Sequence, residues 1–181
     1  IDARAVGPRD FVIGIAASGT TPYVRAALER AKARGAHTGI IACSPPLPPV
    51  VEMVDIAILP ITGPEVLTGS TRMKAGTATK LVLNMITTGA MIRLGKTYGN
   101  LMVDLRATNE KLRDRSERIV MEVCRVPREA ARAALQAAGG HVKLAIVMHK
   151  LGVTRSEAEQ ALEQAGGVIR RVVSDAPPPV V

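Results

Sequence analysis

The chain has 181 residues, 47% of them hydrophobic but only 2% aromatic. That allows one aliphatic core, or a domain with a small helical appendage. The formal net charge of +8 permits nucleic-acid binding. The cations are scattered along helical stretches, however, and one Phe, two Tyr and no Trp leave almost nothing for bases to stack on, so no nucleic-acid partner is expected.

In chain order, residues 1–10 are polar and irregular. Phe11 to Ala16 is a continuous apolar run, as a strand covered on both faces of a parallel sheet requires. Ala17-Ser18-Gly19-Thr20-Thr21-Pro22 turns into a helix over about 22–34, with Thr21 as N-cap, Pro22 at the first position and Gly35 as the stop. His37 to Cys43 is the next strand, Pro45 to Pro49 a stiff loop, and residues 50–54 a short helical turn. Asp55 to Pro60 is a short buried strand. Leu81 to Ile86 forms the body of a long apolar helix ending near Gly95. A βαβ unit followed by a further strand and helix gives an α/β class with a doubly wound parallel sheet.

From about Arg115 the composition shifts to Ala, Arg, Glu and Gln at helical spacing. Helices are predicted near 115–125, 127–138, 141–151 and 154–165, with a last turn at 168–173. Thr154 to Glu157 is a capping box, Gly139-Gly140 and Gly166-Gly167 are stops, and the repeated Ala is a packing device. The end from Asp175, with Pro177 to Pro179, reads as disordered. Cys43 and Cys124 are far apart, without metal-type spacing, which speaks for a reducing, cytoplasmic setting and against a disulfide framework. No apolar run approaches the roughly 20 residues of a membrane span.

Two stretches carry chemistry. Residues 63–80, between a strand and a helix, combine glycines, hydroxyls, one carboxylate and several cations. A helix start of that make-up suits an anion. Ser70 and Thr71 can cap the helix while their hydroxyls face a phosphate together with Arg72, Lys74 or Lys80. Glu65 is better placed for a sugar hydroxyl or a proton transfer. The second stretch is the Ser18-Gly19-Thr20-Thr21 loop, at the carboxyl edge of the sheet, where ligands of α/β folds gather. His37, His141 and His149 form no triad or metal pattern, and no Gly-x-Gly-x-x-Gly fingerprint is present.

The run Gly63-Pro64-Glu65, then Thr68-Gly69-Ser70-Thr71-Arg72-Met73-Lys74, then Lys80, resembles a segment of the N-acetylmuramic acid 6-phosphate etherases and of the related glucokinase regulatory proteins. Both are built on sugar isomerase (SIS) domains. Gly99 to Asp104 and Ala107 to Leu112 are similar to the same family almost letter for letter, and the resemblance covers nearly all of residues 10–173. It implies the C-terminal part of a SIS phosphosugar domain over 1–112 and a small ubiquitin-associated-like helical domain over 113–175, with 176–181 as a tail.

The resemblance also implies a lyase of amino sugar catabolism and cell-wall recycling. Such an enzyme opens the muramic acid 6-phosphate ring, removes the C2 proton, expels D-lactate from C3 and adds water to give N-acetylglucosamine 6-phosphate. No metal or organic cofactor is implied. The phosphosugar would meet Ser18, Thr20, Thr21, Glu65, Ser70, Thr71 and Lys74. Thr20 stands where most such etherases carry Arg. The family's two catalytic glutamates match nothing in this chain and are expected upstream of Ile1, so the catalytic residues are unassigned and Glu65 is kept as an assisting carboxylate. Asn84, Asp104 and Asn109 read as capping or buried hydrogen-bonding groups. A homodimer is implied, and residues 1–181 alone are expected to be inactive without those glutamates and, because the sheet edge is bared, to be aggregation-prone or to depend on a partner chain. The alternative is a non-catalytic phosphosugar-binding regulator of the glucokinase regulatory type, which the compact helical tail and the absence of a second SIS copy disfavour.

Overall fold

The computed structural model describes residues 1–45, 48–105 and 107–173. The Pro-rich end, read from the sequence as disordered, lies outside the described residues, as do residues 46–47 of the stiff loop. By packing the chain divides into two compact units, Ile1–Ile86 and Thr87–Val181.

The first unit holds a parallel sheet of β1 (Phe11–Ile15), β2 (His37–Ile41) and β3 (Ile56–Ile58), in the order β1-β2-β3. Phe11 pairs with His37 and Ile15 with Ile41; Gly39 pairs with Ile56 and Ile41 with Ile58. Helix α1 (Pro22–Ala33) crosses between β1 and β2, α2 (Pro48–Met53) precedes β3, and α3 (Lys74–Arg93) follows it, belonging to this unit as far as Ile86. The expected α/β class and parallel sheet are therefore present. Leu28 of α1, Ile40 and Val50 form the buried centre, with Val12, Val24, Met53, Val54 and Ala57 against it. Contact between α1 and β1 depends on Gly14. A Cβ there would lie 2.6 Å from Val24 Cγ1 and 2.8 Å from Leu28 Cδ1, so the missing side chain lets the helix sit down on the strand. Asp55 lies just before β3, where it accepts from the amide of buried Thr38 at 2.7 Å and from its hydroxyl at 3.2 Å.

One expectation for the sheet needs correction. The sequence predicts a run at Phe11 covered on both faces and a buried strand at Asp55–Pro60, but Phe11, Ile15 and Ile56 are about half-exposed. Helix α1 covers one face, while Phe11, Ile13, Ile40, Ile56, Ile58 and Ile86 line an apolar trough of about 300 Å³.

The second unit begins with the last residues of α3 and continues into a hairpin of β4 (Thr97–Tyr98) and β5 (Leu101–Met102), turning at Gly99 with φ 61°. Its four helices are α4 (Glu110–Cys124), α5 (Arg128–Ala137), α6 (Val142–Leu151) and α7 (Arg155–Gln164), followed by a 3₁₀ turn at Ile169–Arg171. Tyr98, Val103 and Leu105 join Ile119, Val120, Leu135, Ile146 and Val147 in one core. Ala131, Ala138, Ala145 and Ala158 are fully buried, as expected of small packing residues. Tyr98, Val103 and Leu105 thus pack with the helices, and the division by packing falls at 86/87, whereas composition changes near Arg115. Helix α4 starts five residues before the predicted 115, because Asn109 caps it by accepting from the Leu112 amide at 2.9 Å. The capping box is present, with Thr154 and Glu157 bonded reciprocally.

Candidate functional site

The parallel ladder continues past the carboxyl ends of the strands. The Ala16 amide donates to Ile41 O at 3.1 Å, Ala42 to Ile58 O at 3.1 Å, Cys43 to Ala17 O at 2.9 Å and Thr62 to Cys43 O at 3.2 Å. The three segments leaving the sheet therefore run side by side, with Ser18 following Ala17 and Gly63 following Thr62. Between them, the Cys43 thiol lies 3.5 Å from both Ala75 O and Thr79 Oγ1 in the first turns of α3. The fold thus gathers the Ser18 loop and the start of α3 at one sheet edge, with Cys43 as the link. Sequence reasoning missed Cys43, whose only signal is its place at a strand end.

The Ser18 loop is tight and polar. Gly19 adopts φ 71° and its amide bonds Ala16 O at 2.9 Å; the Ser18 and Thr20 hydroxyls are 2.8 Å apart, and the Thr20 amide donates to Ser18 Oγ at 3.3 Å. Thr21 occupies the N-cap of α1 with extended backbone, as predicted, and Pro22 is at the first position. The Thr21 hydroxyl makes no capping bond, however; only its carbonyl is used, by the Arg25 amide at 3.1 Å. Among the described residues, no protein group accepts from the amides of Tyr23 and Val24. Ser18, Thr20 and Thr21 are all exposed. This helix start therefore presents hydroxyls and N–H groups outward, the donor set an anion needs.

The start of α3 is built differently. Glu65 Oε2 accepts from the Lys74 amide and Oε1 from the Ala75 amide, both at 3.0 Å. The Gly76 amide bonds Thr71 O and the Thr77 amide bonds Met73 O, again at 3.0 Å each. All four leading amides of the helix are thus satisfied within the chain. Capping by Ser70 and Thr71 is therefore corrected: the cap is a carboxylate nine residues upstream. An ionised group with two oxygens at the positive end of the helix dipole outcompetes a neutral hydroxyl. Hydrogen bonds from the Ala75 and Lys74 amides hold the Glu65 carboxyl below its ordinary value, with help from the Lys74 ammonium. That ammonium donates to Pro64 O at 2.9 Å. Ser70 is half-buried and its amide bonds Leu67 O at 3.0 Å, while Thr71, Arg72, Lys74 and Lys80 are exposed.

The remaining polar candidates have other duties. His37, beside Asp55 and stacked on Phe11, lies at the amino ends of the strands. Asp104 pairs with Lys96 and Lys143; burial pushes its carboxyl up, and the two ammonium groups together bring it below the ordinary range. Among the described residues, no cluster of three or more His, Cys, Asp or Glu could hold a metal ion, and no helix is long and apolar enough to cross a membrane.

Residues 2–89 match the SIS domain family. The chain is 55% identical over 153 residues to an N-acetylmuramic acid 6-phosphate etherase of Rubrobacter xylanophilus, an alignment covering 84% of this chain and 50% of that protein. To N-acetylmuramic acid 6-phosphate etherase 2 of Vibrio cholerae it is 53% identical over 167 residues, 92% of this chain and 54% of the relative. To the etherase of Mycolicibacterium smegmatis it is 56% identical over 152 residues, 84% and 51% of the two chains. The chain spans about half the length of these curated relatives. From this likeness, and from the parallel sheet with polar loops at its carboxyl edge, the chain belongs to the N-acetylmuramic acid 6-phosphate etherase family.

Proposed function

We propose that this chain is the phosphosugar-gripping part of a carbon–oxygen lyase that converts N-acetylmuramic acid 6-phosphate and water to N-acetylglucosamine 6-phosphate and D-lactate. Identity of 53–56% to proteins named as etherases, over most of the chain, carries this reading. In the opened sugar the C1 aldehyde acidifies the C2 proton. A base removes that proton, the C2–C3 double bond forms as the C3–O bond breaks, and an acid protonates the departing lactate oxygen. Water then adds, with hydroxyl to C3 and a proton to C2, and the ring recloses. The step needs carboxylates held in opposite protonation states and a fixed substrate.

This chain's contribution is the fixing. Ser18, Thr20 and Thr21, with the amides of Tyr23 and Val24, form the phosphate cradle at the start of α1. Ser70 and Thr71, in the loop that Glu65 secures, and Lys74, at the start of α3, line the neighbouring wall. The acid and base are assigned to no residue of this chain. A cytoplasmic homodimer belongs to the same proposal and is supported by the family resemblance. Incubating the intact protein with N-acetylmuramic acid 6-phosphate should release D-lactate in step with N-acetylglucosamine 6-phosphate. Ser18→Ala should raise KM by about tenfold to a hundredfold, the value of a hydrogen bond to a charged group. Absence of D-lactate would refute the activity.

A further inference from the structure

The sequence makes the two strand-to-helix junctions look equivalent, yet one is open and the other is closed by the chain's own carboxylate. Three hydrogen bonds tie residues 64–65 to 74–75: Glu65 to the Lys74 and Ala75 amides, and the Lys74 ammonium back to Pro64 O. The loop between them has little apolar anchoring. Val66, Leu67 and Met73 are 90%, 72% and 67% exposed, and the left-handed Gly69, with φ 83°, would have nothing within 4 Å of an added Cβ. Such a loop keeps its shape through the bonds at its neck. A carboxylate accepting two amides is also a poor proton acceptor at neutral pH, since those bonds favour its ionised form.

We infer that Glu65 is a positioning residue: its carboxylate is the resident anion of the α3 N-terminus and clamps the 66–73 loop, so that Ser70 and Thr71 are held at the sheet edge and the substrate phosphate is left to the Ser18 loop. The clamp stands on geometry alone, while its consequence for substrate rests on the function proposed above. Lys74 is the charged side chain beside Glu65, and its ammonium is turned to Pro64 O.

The test uses Glu65→Gln and Glu65→Ala in the intact protein. Site-resolved hydrogen exchange should show the Lys74 and Ala75 amides losing roughly tenfold in protection in Glu65→Ala, as removal of a helix cap does, and less in Glu65→Gln, which keeps one acceptor. With N-acetylmuramic acid 6-phosphate, KM should rise while kcat falls by a smaller factor. Unchanged protection at both amides would overturn the clamp. So would a kcat loss above about a hundredfold at constant KM, the signature of a lost proton-transfer group. If neither variant folds, the wild-type protein decides by NMR. The Lys74 and Ala75 amide resonances should move with the Glu65 carboxyl titration, at a midpoint below the ordinary glutamate value, and amides blind to that titration would refute the clamp. If wild-type protein does not turn over the sugar at all, the proposed function fails, yet the exchange and titration results still decide the role of Glu65.

Discussion

Gly14→Ala should damage fold and site together. The added Cβ would stand 2.6 Å from Val24 Cγ1 and 2.8 Å from Leu28 Cδ1, well inside van der Waals contact. Neither neighbour can simply swing away, because Leu28 is fully buried and Val24 packs against the same cluster. Overpacking of this kind costs about 1–3 kcal/mol. Restricting the unfolded chain returns only about 0.4–1 kcal/mol, so a net loss of about 1–2 kcal/mol is expected. Relief by moving α1 outward would also carry the Ser18 loop with it, weakening phosphosugar binding. Urea titration should show a lower midpoint with an unchanged slope, and calorimetry with N-acetylglucosamine 6-phosphate should show a higher Kd. Adding Val24→Ala, which removes the nearest atom, should recover part of both losses. A Gly14→Ala protein with wild-type midpoint and affinity would refute the claim that this glycine seats the helix.

Two further predictions concern stability. Asn109→Ala removes the side chain that caps α4 and should lower unfolding free energy by about 1 kcal/mol, read from the shift in denaturation midpoint. Several carboxyls are held below their ordinary values: Asp55 by the Thr38 amide, Glu65 by the Ala75 and Lys74 amides, and Glu117 by Arg132 and then Arg128. Depressed folded-state values mean that their stabilisation is complete at neutral pH and is lost as pH falls through about 4 and below. Urea midpoints should therefore be flat from pH 7 to about 5 and fall at lower pH; a midpoint that rises on acidification would contradict this.

Much of the fold was legible in the sequence, for identifiable reasons. Apolar runs at Phe11 and His37 and the Thr21-Pro22 and Gly35 punctuation place β1, α1 and β2 within a residue or two. The β4–β5 hairpin was not legible, because strands of two residues carry no periodicity. The α4 start was misplaced because composition changes at Arg115 whereas the cap, Asn109, lies upstream. In the candidate site, the loops were visible as glycine and hydroxyl clusters after strands. The partner of the α3 amides was not, since local capping patterns span about three residues and Glu65 reaches across nine and ten. Cys43 could be seen as a linker only after the sheet edge had brought Ala17, Thr62 and Ala75 around it.

The most direct measurement is a crystal structure of the intact protein with N-acetylglucosamine 6-phosphate bound. The phosphate should lie against Ser18, Thr20, Thr21 and the Tyr23 and Val24 amides, with Glu65 still on the Lys74 and Ala75 amides. A phosphate seated on the first turn of α3, with the Glu65 carboxylate displaced, would contradict the account.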